Sequence, residues 1–142
     1  MRAREFINES QDWRSHYDTI DEYQGILMGM NILDWAVEVY ALTQDGREMG
    51  AVDFDRDGKT LIADGLMVHP EYQGQGIAQE MMKLVYEYCK SCEWIWLGVW
   101  EQNPRAVQFY KKCGFERFAE HHFKMGEELQ TDWLMRKRII QP

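Results

Sequence analysis

In the stretch Val68-His69-Pro70-Glu71-Tyr72-Gln73-Gly74-Gln75-Gly76-Ile77-Ala78 an apolar run ends, two glycines flank Gln75, and an amphipathic helix pattern begins. Strand, glycine turn and helix start, in that order, make an anion site from main chain alone. Glycine lets successive N–H groups converge on one point, and the helix dipole adds about half a positive charge there. No lysine or arginine lies within the turn, so a phosphate bound here would be held mainly by backbone. That points to a pyrophosphate-bearing cofactor. Without a ligand, the same glycines read as an ordinary tight turn.

Two other phosphate signatures fail. A dinucleotide fingerprint needs G-x-G-x-x-G, but Gln79 stands where the third glycine belongs. A P-loop needs Gly-Lys-Ser/Thr, which is missing. Further along, Asn103-Pro104 is a helix start, with asparagine as N-cap and proline in the first turn. Cys89-x-x-Cys92 has no second ligand pair at zinc spacing, and adjacent His121 and His122 point to opposite sides of a strand. The cysteines read as structural, and no metal is expected.

These groups need a scaffold. The 142 residues suit a single domain over 1–142, and 45% hydrophobic content indicates a folded chain. A net charge of -8 argues against nucleic acid and agrees in sign with a cationic partner. No apolar run approaches the roughly 18 residues of a membrane span, and no secretory pattern opens the chain, so no membrane partner and a reducing cytoplasm are expected.

Residues 4–8 suggest a short strand, and 11–31 are loosely helical, with Trp13, Tyr17, Ile20, Tyr23 and Leu27 recurring at three to four residues. Strands follow at 36–42, 49–54 and 60–68, joined at Asp45-Gly46 and Asp57-Gly58 as an antiparallel meander. A helix over 76–90 and a strand over 93–100, buried on both faces, complete a βαβ crossover. The helix from Asn103 ends near Cys113, with Gly114 as C′ residue. Two strands over 115–125 and 131–139 flank a turn near Gly126. The class is α+β on a mixed sheet.

Gln73-Gly74-Gln75-Gly76-Ile77-Ala78 matches Q/R-x-x-G-x-G/A, and Asn103-Pro104-Arg105-Ala106-Val107-Gln108-Phe109-Tyr110-Lys111-Lys112-Cys113-Gly114-Phe115 matches N-x-x-A-x-x-x-Y-x-x-x-G-F. In that order, with one helix and one strand between them, these blocks resemble the GNAT superfamily of N-acetyltransferases over residues 36–140. The resemblance implies a mixed, mostly antiparallel sheet with a splayed parallel strand pair, flanked by helices, and acetyl-CoA as co-substrate. It implies that pantetheine lies along Leu66, Met67 and Val68, with a bulge at Asp64-Gly65. The pyrophosphate would meet amides of Gly74, Gln75, Gly76, Ile77, Ala78 and Gln79, beside Gln73, and Asn103 would contact the CoA arm as well as cap its helix. Tyr110 matches the family's general acid near the CoA sulfur; its alternative is packing alone.

Several family members carry a glutamate at the position aligning with Gly98, which can supply no base. Glu101 is then the candidate base, or else a solvated loop carboxylate. Residues 118–137 are similar to the H-x-F-x-x-G-x-x-x-Q-T-D-x-x-M-x-K pattern of bacterial polyamine N-acetyltransferases, which implies an amine acceptor. Glu127, Glu128 and Asp132 are acidic candidates near it, or an ordinary solvated hairpin. A protein N-terminus or lysine as acceptor, and a CoA-binding module without turnover, are the competing readings. The segment before residue 36 is short for this family, so either the acceptor cleft is open or a second subunit completes it. Trp13, Tyr17, Trp35 and Trp133 are candidates for such a homodimer interface, with core packing the default for each.

Overall fold

The computed structural model describes residues 17–139. Eight strands form one sheet in the order β1-β2-β3-β4-β5-β6-β8-β7. They are β1 (Thr19–Tyr23), β2 (Ile26–Ile32), β3 (Ala36–Leu42), β4 (Glu48–Asp57), β5 (Thr60–Val68), β6 (Trp94–Trp100), β7 (Glu116–Met125) and β8 (Glu128–Arg138). Helix α1 (Ile77–Tyr88) links β5 to β6, and α2 (Pro104–Lys112) links β6 to β7. This is the mixed, mostly antiparallel α+β sheet expected. Its one parallel pair is β5 with β6.

The helical pattern over 11–31 is overturned within the described residues. Gln24 at φ 49° and Gly25 at φ 82° make a two-residue left-handed turn, which pairs Tyr23 with Ile26 and folds β1 onto β2. Residues 26–31 are all buried. A strand covered on both faces has no alternation to reveal it, so the helical spacing was accidental. The meander therefore has five strands, not three. The proposed strand at 4–8 and Trp13 lie outside the described residues.

Both helices share one face of the sheet. Ile77, Met81, Met82, Leu84 and Val85 of α1 and Val107 of α2 join a single core with Val37, Val39, Phe54, Leu61, Ile95, Leu97 and Met135. The reverse face carries a smaller cluster of Tyr17, Leu27, Tyr40, Leu42 and Ala51. In β6 the burial alternates rather than being complete: Ile95, Leu97 and Val99 face the helices, whereas Trp96 and Trp100 are 39% and 43% exposed. The sequence expectation failed there because apolar identity does not say whether a second layer exists.

The site is shaped by where β5 and β6 part. They pair only at Thr60–Trp94, Leu61–Ile95 and Ile62–Trp96. Immediately beyond, Asp53 opposes Gly65 while Phe54 opposes Ala63, so Asp64 is an extra residue that bends β5 away. Strand β8 inserts between β6 and β7 and pairs with β6 from Trp94–Arg138 to Trp100–Asp132.

Candidate functional site

A cleft of about 730 Å³ opens on the helix face, between splayed β5, the start of α1 and the flank of α2. Its first wall follows from local chemistry. Pro70–Tyr72 form a single 3-10 turn after β5, closed by Tyr72 N–H donating to His69 O at 2.9 Å. The Gln73 side-chain amide donates back to Val68 O at 3.1 Å. Gly74 at φ 83° and Gly76 at φ 78° then reverse the chain, and Gly76 is the N-cap of α1. The first α1 backbone bond runs from Glu80 N–H to Gly76 O. The earlier amides of the helix therefore have no acceptor within it and lie at the positive end of its dipole.

The opposite wall is α2. Asn103 Oδ1 accepts from Ala106 N–H at 3.2 Å, which caps the helix, and Pro104 follows in its first turn. The half-buried Tyr110 ring meets Phe109 edge-on at 5.3 Å and Phe115 at 5.7 Å between centroids. Burial raises the Tyr110 phenol above its ordinary value, with Cys113 adding in the same direction. It therefore stays protonated at neutral pH and can donate a hydrogen bond.

Of the residues singled out by sequence, Leu66, Val68, Gln73, Gly74, Gly76, Ile77, Ala78, Gln79, Asn103 and Tyr110 all line this cleft. Met67, Gln75 and Glu101 do not. Met67 alternates to the far face of β5, where it is 43% exposed. Gln75 is exposed between the two left-handed glycines, and Glu101 is exposed just past β6, its amide donating to Thr131 O at 3.1 Å. Among the described residues no three His, Cys, Asp or Glu side chains are grouped to hold a metal. No helix there is long and apolar enough to cross a membrane.

The cleft also contains Ala106 of the second motif block, and Tyr72, Arg105, Phe109 and Lys112, to which sequence reading gave no role. A signal was present. Arg105, Phe109 and Lys112 recur at i, i+4 and i+7, and Asn103, Ala106 and Tyr110 at i, i+3 and i+7, so both rows lie on adjoining stripes of α2. Two cations thus line the same cleft as the glycine turn, although none lies in the turn. Of the interface candidates, Trp35 is 63% exposed, whereas Tyr17 is buried and the Trp133 ring lies under Arg117 and Lys111.

Known proteins are similar to this chain in sequence and in fold. An uncharacterized N-acetyltransferase of Lactobacillus delbrueckii subsp. lactis is 32% identical over 113 residues, which is 71% of this chain and 64% of that protein. The spermine/spermidine N(1)-acetyltransferase of Bacillus subtilis is 28% identical over 84 residues, 56% of this chain and 55% of that one. Matched regions thus span less than two thirds of these relatives' length. Spermidine N-acetyltransferase from Vibrio cholerae, solved in complex with CoA and spermine, superposes with a TM-score of 0.63 at 20% identity, covering 74% of this chain and 66% of its own. That likeness shows the fold. Residues 3–115 match the Acetyltransferase (GNAT) family as a whole, and with its two motifs and forked sheet in place the chain belongs to that family.

Proposed function

We propose that this chain is an acetyl-CoA-dependent N-acetyltransferase that acts on a primary amine of a small molecule, with polyamines as the leading acceptor class. The observation that carries the reading is the cleft that unites the glycine turn, the end of β5 beyond its last pair with β6, and Tyr110. The glycine-turn and α1 amides would hold the pyrophosphate, with Arg105 and Lys112 beside it as further anion partners. The pantetheine arm would run along residues 66–68. Met67 and Gln75 would contribute through backbone, since their side chains lie outside the cleft.

Transfer requires an amine lone pair to attack the thioester carbon while the C–S bond breaks. At neutral pH an alkylamine with pKa near 10.4 is mostly protonated, so the attacking nitrogen must first shed a proton. A backbone N–H near Val68 would meet the developing oxyanion. Tyr110 would give its O–H proton to the departing thiolate. Glu101, exposed and outside the cleft, gains no support from its position as a base.

The free thiols Cys89, Cys92 and Cys113 suit a reducing compartment such as the cytoplasm. Exposed Trp35 supports the accompanying proposal of a homodimer, which size-exclusion chromatography with light scattering checks. Calorimetry with acetyl-CoA, followed by thiol release over a panel of polyamines, monoamines and peptides, tests the activity. Acetyl-CoA binding with turnover of small amines is expected. Absence of binding overturns the reading, turnover of peptides alone moves the acceptor to proteins, and binding without thiol release leaves a CoA module.

A further inference from the structure

A second cavity, of about 320 Å³, is lined by Trp94, Gly114, Glu116, Arg136, Lys137 and Arg138. It sits where β6 starts, whereas the cleft opens where β6 has parted from β5. Its cause is a step in strand length. Strand β7 begins at Glu116, opposite Arg136, while β8 runs on to Arg138 and stays paired there with Trp94. Beyond Arg136 the β7 side of β8 is therefore open. The charge here runs against that of the chain. Residues 105–138 carry eight lysines and arginines against five acids, in a protein whose net charge is -8, and three of those cations are consecutive at this step.

Arg136 is held flat. Its guanidinium lies 4.9 Å from the Trp94 ring centroid and 4.7 Å from that of Phe118. Those contacts use the face of the group, whereas its N–H donors point outward in its plane, in the fork that matches an oxyanion. Glu116 is its cross-strand partner on β7, yet among the described residues the two form no ion pair. Lys137 reaches the same space from the other face of β8. Its ammonium donates to Cys113 O at 2.6 Å, and a Cβ built on Gly114 would stand 2.8 Å from Nζ. A glycine at φ 93° leaves that position to the cation. An ammonium has three donors, so the Cys113 carbonyl does not exhaust it. Arg138, 5.6 Å from the Trp94 centroid, adds charge to the rim.

With Glu116 set against Arg136, Lys137 and Arg138, the lining is left with two positive charges. A phosphomonoester carries close to two negative charges at neutral pH and three acceptor oxygens on one centre. A monocarboxylate neutralises half of that, and a dicarboxylate spreads its charges along a chain. We infer that this cavity binds the phosphoryl group of a small phosphomonoester, with the Arg136 guanidinium and the Lys137 ammonium as its principal donors. The site shares no lining residue with the cofactor cleft and stands independently of the acetyl-transfer reading.

The test follows the Trp94 indole N–H and Arg136 Nε–H resonances, assigned with Trp94→Phe and Arg136→Gln, as glycerol 2-phosphate is added at fixed ionic strength. Both should move saturably. Inorganic phosphate should move the same two resonances, whereas glycerol should leave them still and succinate should bind more weakly than the ester. Read at Trp94, Arg136→Gln should weaken the ester by about ten- to a hundredfold, the range for losing a charge-assisted hydrogen bond. Arg136→Lys keeps the charge without the fork and should recover part of the affinity. The shifts should persist at saturating acetyl-CoA; their loss would place the phosphate in the cofactor cleft and overturn the site. Resonances unmoved by glycerol 2-phosphate, equal affinity in the folded Arg136→Gln protein, or succinate bound as tightly as the ester overturn it as well.

Discussion

Replacing Gly74 by alanine separates the fold requirement of the turn from its binding role. Gly74 sits at φ 83°, and a Cβ there would meet nothing within 4 Å. No clash contributes, so the cost is that of holding an L-residue in the left-handed region, about 1–2 kcal/mol. Unfolding entropy of about 2.1 cal/mol/K per residue sums to about 0.3 kcal/mol/K over this chain, so Tm should fall by about 3–7 °C. Gly65→Ala is the control: its φ is ordinary and its Cβ position is also open, so it should be neutral or stabilise by up to about 1 kcal/mol. Binding adds a second readout. If alanine relaxes the turn, one amide rotates off the anion, and loss of a charge-assisted hydrogen bond costs about 1.5–3 kcal/mol, about ten- to a hundredfold in acetyl-CoA Kd. Thermal scans give the first quantity and calorimetry the second. A lower Tm with unchanged Kd would refute the anion cradle; an unchanged Tm would refute the conformational argument.

Three further outcomes follow from the same geometry. Tyr110→Phe keeps the edge-on ring contacts but removes the donor, so turnover should drop by about a hundredfold, the scale of general acid catalysis, with acetyl-CoA affinity intact; equal turnover would leave Tyr110 a packing residue. Arg105→Ala with Lys112→Ala should weaken acetyl-CoA several-fold at low salt and much less near 1 M, where exposed charges are screened; a loss independent of salt would contradict an electrostatic role. Burial, with help from Cys92, pushes the Cys89 thiol from its ordinary 9.0 up to about 12. The unfolded chain therefore loses that proton first, so the contribution is whole below pH 9 and is lost as pH rises toward 12. The urea midpoint should decline over that window, and Cys89 should resist thiol reagents at pH 8 in the native protein; a flat midpoint to pH 11 would contradict the burial effect.

Features whose causes lie within a few residues were legible in the chain itself. The left-handed glycines at 46, 58, 74 and 76, the Asn103 cap with Pro104 behind it, and the amphipathic run of α1 each depend on local backbone sterics or hydrogen bonding. The bulge at Asp64 was expected from the family resemblance, not from local chemistry, because it is a property of the β4–β5 register. The two motif blocks were enough to name the family because each local signal sat in the right order.

What stayed hidden depends on residues far apart in sequence. The β1–β2 hairpin turns on Gln24, a non-glycine at φ 49°, and on a strand buried from both sides. Trp96 and Trp100 look like core residues, but on β6 their face stays partly open, at 39% and 43% exposed. Arg105 and Lys112 reach the cleft of the glycine turn only because α1 and α2 pack on the same side. The carboxylate of Asp132 comes to rest over Gly98 because β8 inserts between β6 and β7 in one register, joining residues 34 positions apart in the chain. Local chemistry wrote the turns and caps; pairing and layering, which sum many weak long-range contacts, decided which side chains meet around the cleft.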